Sequence, residues 1–189
     1  MTRRSEAVRL CLPKCSARDS LMFAALVLAA LTASQTGLAT IRYDVPPPNF
    51  AFPTPHGTKY LSDYHVRVVV VDFWATWCHV CTEELAEFVR ARQAFGDRVA
   101  VVTISDELPD VAASYLHASN IALPIVEDVA GAVFRIYSVS AIPVTLVLDP
   151  NGNVSYVSVG AVSWTELSQA IERAQGSTSA STRDGRVLQ

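Results

Sequence analysis

Val71-Asp72-Phe73-Trp74-Ala75-Thr76-Trp77-Cys78-His79-Val80-Cys81 sets two cysteines, two residues apart, directly behind an apolar run. Residues 66–73 are rich in β-branched side chains and almost continuously apolar, the pattern of a central strand covered on both faces. From Thr82 to Phe95, apolar groups recur at helical spacing (Leu85, Phe88, Val89), with Glu83, Glu84 and Glu87 near the start and Gly96 closing the run. Cys78 therefore stands where a buried strand gives way to a helix. Its sulfur falls at the helix N-terminus, where free N–H groups and the helix dipole favour a thiolate. The thiolate is the nucleophile. Cys81, one turn deeper, is placed to attack a mixed disulfide formed at Cys78 and release the product.

The other two cysteines, Cys11 and Cys15, precede a long apolar stretch and have no His or further Cys close by to complete a metal site. A Cys-x-x-Cys pair by itself also suits zinc ribbons, but zinc needs a second pair of ligands. His56, His65, His79 and His117 offer no such spacing, so no metal is expected. A purely structural disulfide usually ties distant segments, because closing so short a loop removes little chain entropy. The pair is there to react.

Downstream, Val99–Ile104 reads as a second buried strand and Asp110–Asn120 as a helix with Val111, Tyr115 and Leu116 facing inward. Ala122-Leu123-Pro124-Ile125 is a short extended piece, and residues 129–137 another helical turn or two. Val144–Leu148 and Val154–Val159 read as strands joined by the turn Asp149-Pro150-Asn151-Gly152. Ser163-Trp164-Thr165-Glu166 is a capping box opening a last helix that buries Leu167, Ala170 and Ile171. Upstream, residues 50–64 look like strand and turn, with His56-Gly57 at the turn. The order β-α-β-α-α-β-β-α implies a three-layer α/β domain over roughly residues 48–175.

Composition agrees with one domain plus ends. Of 189 residues, 50% are hydrophobic and 17% charged. Net charge is −3, but residues 1–20 carry five basic groups against two acids, a balance of +3, leaving −6 on the rest. No basic nucleic-acid face is in view. Between Ser20 and Ile41 runs an uncharged stretch of 22 residues, long enough to cross a hydrocarbon layer. Its most apolar part, residues 21–33, has signal-peptide length, and Gly37-Leu38-Ala39 offers a small-x-small cleavage site. A cleaved signal and an uncleaved anchor both fit. Either way the basic flank stays inside, and everything after Arg42 is expected outside the cytoplasmic membrane, periplasmic or extracytoplasmic.

The block from Val71 to Cys81 resembles the active-site strand, turn and helix start of the thioredoxin superfamily. Ser140-Ala141-Ile142-Pro143-Val144-Thr145 looks like the loop that carries that family's cis-proline. The likeness is closer to bacterial TlpA/ResA/DsbE-type membrane-anchored proteins, and the Cys-x-Val-Cys form is similar to the subgroup named for suppression of copper sensitivity. It implies a thioredoxin fold, a central mixed β-sheet flanked by helices; together with the apolar N-terminal stretch, the proline run at 46–48 and the Ser/Thr/Gly/Arg-rich end, four regions are expected. These are a signal peptide or anchor over 1–41, a linker over 42–49, the domain over 50–175 and a disordered tail over 176–189. It also implies a redox-active Cys78–Cys81 disulfide, with Cys78 attacking and Cys81 resolving. Pro143 would lie against the pair, leaving the Ile142 backbone for a substrate strand, with Trp77 at the rim. Asp72 matches the buried acid that assists proton transfer from the resolving cysteine. A carboxyl in an apolar strand should hold its proton toward neutrality.

The chain departs from the TlpA/ResA pattern in places. His79-Val80 stands where prolines are common between the cysteines, and the helix lacks the usual kinking proline after Leu85. Glu83 or Glu84 stands in for an acid near the site, and the sequence does not choose between them. A cationic His79 near Cys78 would stabilise its thiolate and give a more oxidising couple. The implied function is thiol–disulfide exchange with protein thiols or disulfides, without a cofactor. Reduction is favoured, recharged by a membrane electron-transfer partner, with oxidation or isomerisation the rival. Apocytochrome thiols (cytochrome c maturation), a copper-stress protein and a misoxidised envelope protein all suit as substrates. A Sco-type copper protein would place three residues between its cysteines and use a distal His. A peroxiredoxin would carry Pro-x-x-x-Thr/Ser-x-x-Cys, which is absent here. A docking domain without catalysis has little reason to keep both cysteines.

Overall fold

The structure, a computed structural model, describes residues 41–54, 56–64 and 66–181, with side chains to residue 176. The signal or anchor read over residues 20–41 lies, but for Ile41, outside the described residues. Among those described, no helix is long and apolar enough to cross a membrane.

The nearly continuous apolar run becomes β3 (Val68–Phe73), preceded by a hairpin of β1 (Ala51–Thr54) and β2 (Gly57–Tyr60) and a 3-10 turn at Leu61–Tyr64. Helix α1 (His79–Phe95), β4 (Val99–Ser105), α2 (Val111–Ala118), β5 (Ile125–Glu127), α3 (Ala132–Ile136), β6 (Val144–Leu148), β7 (Val154–Val159) and α4 (Trp164–Ser181) follow. The main sheet runs β5-β4-β3-β6-β7. Its first three strands are parallel, and β6 and β7 are antiparallel to their neighbours. The expected mixed sheet flanked by helices is therefore present.

Six consecutive buried residues make β3 the middle of the sheet. Alternation sends Val68, Val70 and Trp74 toward α1 and α4, where they pack with Leu85, Phe88, Leu167 and Ile171. Val69, Val71 and Phe73 go to the other face, against Phe134, Tyr137 and the lead-in residues Phe50 and Phe52. Each large apolar side chain so enclosed contributes about 1.5–3 kcal/mol of transfer free energy. Asp72 points with Val68 and Val70, into the layer beneath α1. That parity decides the chemistry below.

Some boundaries differ from the sequence reading. Val66 is exposed with φ +70°, its N–H bonded to the Pro150 carbonyl, so the strand starts two residues later. Helix α1 begins at His79 rather than Thr82. In α2, Leu116 is buried and Tyr115 packs on the core as expected, but Ala112, four residues before Leu116, holds the inward place and Val111 faces outward. The short extended piece pairs with β4 as a fifth strand, shifted to Ile125–Glu127. The stretch 42–49 is held against the domain, since Asp44 donates to the Val154 carbonyl and Val154 to that of Val45. Helix α4 runs to Ser181, past Gly176 where the sequence marks a tail.

The capping box forms as read. The Glu166 carboxylate accepts from the Ser163 N–H at 2.9 Å and its hydroxyl at 2.6 Å, while Ser163 Oγ accepts from the Glu166 N–H. Ser163→Ala should cost about 1 kcal/mol, read as a lower urea midpoint at unchanged slope. An unchanged midpoint would show that the cap contributes nothing.

Candidate active site

Strand β3 ends by handing its last backbone bond to β4: Trp74 N–H donates to the Ile104 carbonyl at 3.0 Å. The chain then turns through Ala75-Thr76-Trp77 and enters α1, with Cys78 as the N-cap residue in extended conformation. The turn is closed by the Cys78 N–H on the Ala75 carbonyl, and the helix by the Thr82 N–H on that of Cys78. No side-chain oxygen caps this helix. At an N-cap, the side-chain atom faces the free N–H groups two and three residues on. Here that atom is the Cys78 sulfur, so a thiolate formed on reduction meets the donors that an Asp or Ser oxygen meets elsewhere.

Cys78 and Cys81 form a disulfide, with Sγ–Sγ 1.97 Å and Cα–Cα 5.3 Å. The two sulfurs are not equivalent. Cys78 keeps 8% of its surface exposed, whereas Cys81 is fully enclosed with Trp74, Leu85 and Phe88. His79 and Val80, between them, face solvent. His79 Nε2 lies 3.2 Å from Glu83 Oε1, one turn along the helix.

Below the cysteines lies a second layer that the sequence only half revealed. Asp72 is 1% exposed and Glu84 4%. Glu84 follows Cys81 by three residues, so it shares the inward face of α1. Glu83, the other candidate, is exposed on the helix surface. Thr145, the cross-strand partner of Asp72, lies between the two acids. Its hydroxyl donates to Glu84 Oε1 at 2.9 Å and stands 3.4 Å from Asp72 Oδ1. Glu84 Oε1 also accepts the Val162 N–H at 3.1 Å, while its Oε2 is buried with no hydrogen-bond partner among the described residues. Burial, and then the neighbouring Glu84 charge, hold the Asp72 carboxyl well above the usual carboxylate range. Burial pushes Glu84 up to about 7, against the lowering effect of its two donors. The raised Asp72 expected from its apolar strand is present; the partner acid is the addition.

The Ile142–Pro143 bond is cis, at the entry to β6. The Pro143 carbonyl accepts the Gly160 N–H, and no hydrogen bond of the described residues uses the Ile142 main chain. Beside that loop runs a groove of about 170 Å³ walled by Trp77, Phe134, Ile142 and Asp106. Trp77 is 73% exposed, a large apolar side chain standing in water beside the cysteines. A larger cavity of about 470 Å³ lies at the other end of the sheet, between Arg67, Arg92 and Gly96, and contains none of these groups. Among the described residues no cluster of His, Cys, Asp and Glu is arranged to hold a metal ion.

Residues 44–157, from the lead-in to β7, match the AhpC/TSA family. The thioredoxin-like protein YneN of Bacillus subtilis is 27% identical over 130 residues, covering 66% of this chain and 76% of its own. The thiol-disulfide oxidoreductase ResA of Geobacillus thermodenitrificans is 27% identical over 129 residues, covering 66% and 74%. The crystal structure of StoA from Bacillus subtilis is similar with a TM-score of 0.57 and 25% identity, over 66% of this chain and 96% of that one.

Proposed function

The chain belongs to the AhpC/TSA family, and from that membership and its unequal cysteine pair we propose that it is a thiol–disulfide oxidoreductase that reduces protein disulfides outside the cytoplasmic membrane. The observation that carries the reading is the asymmetry of the pair: a sulfur at a helix N-terminus that keeps 8% of its residue's surface open, and a fully enclosed one behind it. Relatives named as thiol-disulfide oxidoreductases support the reaction class. The uncharged stretch behind a basic flank supports the compartment.

In this reading the Cys78 thiolate attacks one sulfur of a substrate disulfide. The substrate's S–S bond breaks, a mixed disulfide forms, and the displaced substrate thiolate takes a proton from solvent. Ile142 offers its backbone, and Trp77 an apolar wall, to the strand that carries the substrate cysteine. Cys81 then loses its proton toward Asp72 and attacks the Cys78 sulfur. The mixed disulfide breaks, the second substrate sulfur leaves and is protonated, and the Cys78–Cys81 disulfide remains. Two electrons have passed to the substrate, and a membrane dithiol donor restores the pair. Oxidation is the same sequence reversed. His79, next to the attacking sulfur, is the feature that favours it.

Cys81→Ser decides the mechanism and names the substrate, because it stops the exchange at the mixed disulfide. The variant should collect covalent adducts that thiols release, whereas the Cys78→Ser/Cys81→Ser double variant collects none. Adducts on both would remove Cys78 from its role. Direction follows from the couple's potential, expected nearer thioredoxin's value of about −270 mV than DsbA's of about −120 mV. A value at the oxidising end would replace reductase by oxidase.

A further inference from the structure

The peptide that turns from β3 into α1 has a problem of its own. After Trp74 N–H reaches the Ile104 carbonyl, the two strands diverge and the next backbone donors have no strand to bond to. Glu107, two residues beyond the end of β4, takes over. Its Oε2 accepts the Thr76 N–H at 2.8 Å and its Oε1 accepts the Thr76 hydroxyl at 2.6 Å. A second hydroxyl, on the buried Ser105, donates to the same Oε2 at 3.1 Å and so fixes the carboxylate from behind. Charge-assisted bonds of this kind are short and directional, and two from one residue define an orientation as well as a distance.

We propose that Glu107 is a positioning residue for the exchange reaction, holding the Thr76-Trp77-Cys78 turn so that Cys78 meets the free N–H groups of α1 while Trp77 stands over the substrate groove. The inference rests on the reading of Cys78 as the attacking sulfur. What Thr76 holds, its neighbours inherit. Cys78 is two residues on and bonded back to Ala75, so the turn moves as one piece. Asp106, the residue before Glu107, lines the groove with Trp77. The same loop therefore sets the reacting sulfur and one wall of the substrate site.

The test compares Glu107→Ala, Glu107→Gln and Thr76→Val in the full chain, using insulin disulfides as substrate and dithiothreitol as reductant. A glutamine can still accept the Thr76 N–H through Oε1 and donate to the Thr76 oxygen through Nε2, so it keeps the fork and drops the charge. Glu107→Ala should lower kcat by about tenfold to a hundredfold, with KM for insulin changed far less, the size expected when a reacting group is misplaced. Glu107→Gln should restore most of that loss, and Thr76→Val should fall between. Wild-type kcat in Glu107→Ala would overturn the proposal. So would a Gln variant as slow as the Ala variant, because then the charge and not the placement matters. Should Glu107→Ala not fold, Thr76→Val and Glu107→Gln carry the comparison. Cys78→Ser, run alongside, separates the two levels: if it keeps activity, the function assigned to the pair has failed, not the placement by Glu107.

Discussion

Cys78→Ser is expected to bring insulin reduction down to the rate of dithiothreitol alone, with the fold intact. The size follows from what the sulfur does. A serine hydroxyl at the same N-cap is a good helix cap, so stability should change little, but it is not ionised near neutrality and cannot attack a disulfide. With Cys81 enclosed by Trp74, Leu85 and Phe88, no other thiol of the described residues reaches a protein substrate. Cys81→Ser should also stop turnover, for a different reason: it performs the first exchange and then stalls. The two variants are thus alike in steady state and opposite in a single-turnover trap. Removing both should cost no more than removing Cys78, since groups acting in one sequence are not additive. The checks are turnover with insulin, and circular dichroism to establish folding. Residual turnover of Cys78→Ser above the dithiothreitol background would end the mechanism.

Much of this arrangement was legible in the order of residues because it is local. A β-branched run broken only by Arg67 and Asp72 reads as a central strand, and a cysteine pair behind it reads as a helix start, without knowledge of the rest of the chain. The capping box at Ser163 and the turn at Asp149 are equally self-contained. What stayed hidden depends on contacts between distant segments. Strand β5 has only three residues and is a strand because β4 lies beside it. In helix α2, Tyr115 and Leu116 do meet the core, but Val111 was also turned inward because it outranks Ala112 in hydrophobicity, although Ala112 holds that place. Choosing Glu84 over Glu83 was within reach, since Cys81, Glu84, Leu85 and Phe88 fall on one side of a helix with Cys81 already placed inward. Thr145 was not, because its partners Asp72 and Glu84 are 73 and 61 residues away. Nor was Glu107, whose contact with Thr76 spans 31 residues.

Asp72→Asn should slow the resolving step by about a hundredfold near neutral pH, the range usual for loss of a general base. It should also flatten the rise of turnover with pH. Thr145 has one hydroxyl hydrogen and gives it to Glu84 at 2.9 Å, leaving Asp72 the longer 3.4 Å contact. Two buried carboxyls joined in this way do not both ionise cheaply, so one proton serves the pair and its loss has a pH dependence belonging to both. Stability should carry the same signature. Each acid binds its proton more tightly folded than unfolded, so this contribution is complete below the ordinary carboxylate pKa and is lost as pH rises through the folded value. For Glu84 that window runs from 4.5 to about 7. At about 1.4 kcal/mol per unit, the loss across it is roughly 3 kcal/mol. Glu84→Gln keeps acceptors for Thr145 and Val162 and removes the titration. Its urea midpoint should therefore fall much less between pH 5 and pH 8 than that of the unsubstituted chain. If the midpoints of the two proteins fall in parallel across that range, Glu84 does not hold its proton when folded. If Asp72→Asn keeps both the rate and its pH profile, the Cys81 proton leaves by another route.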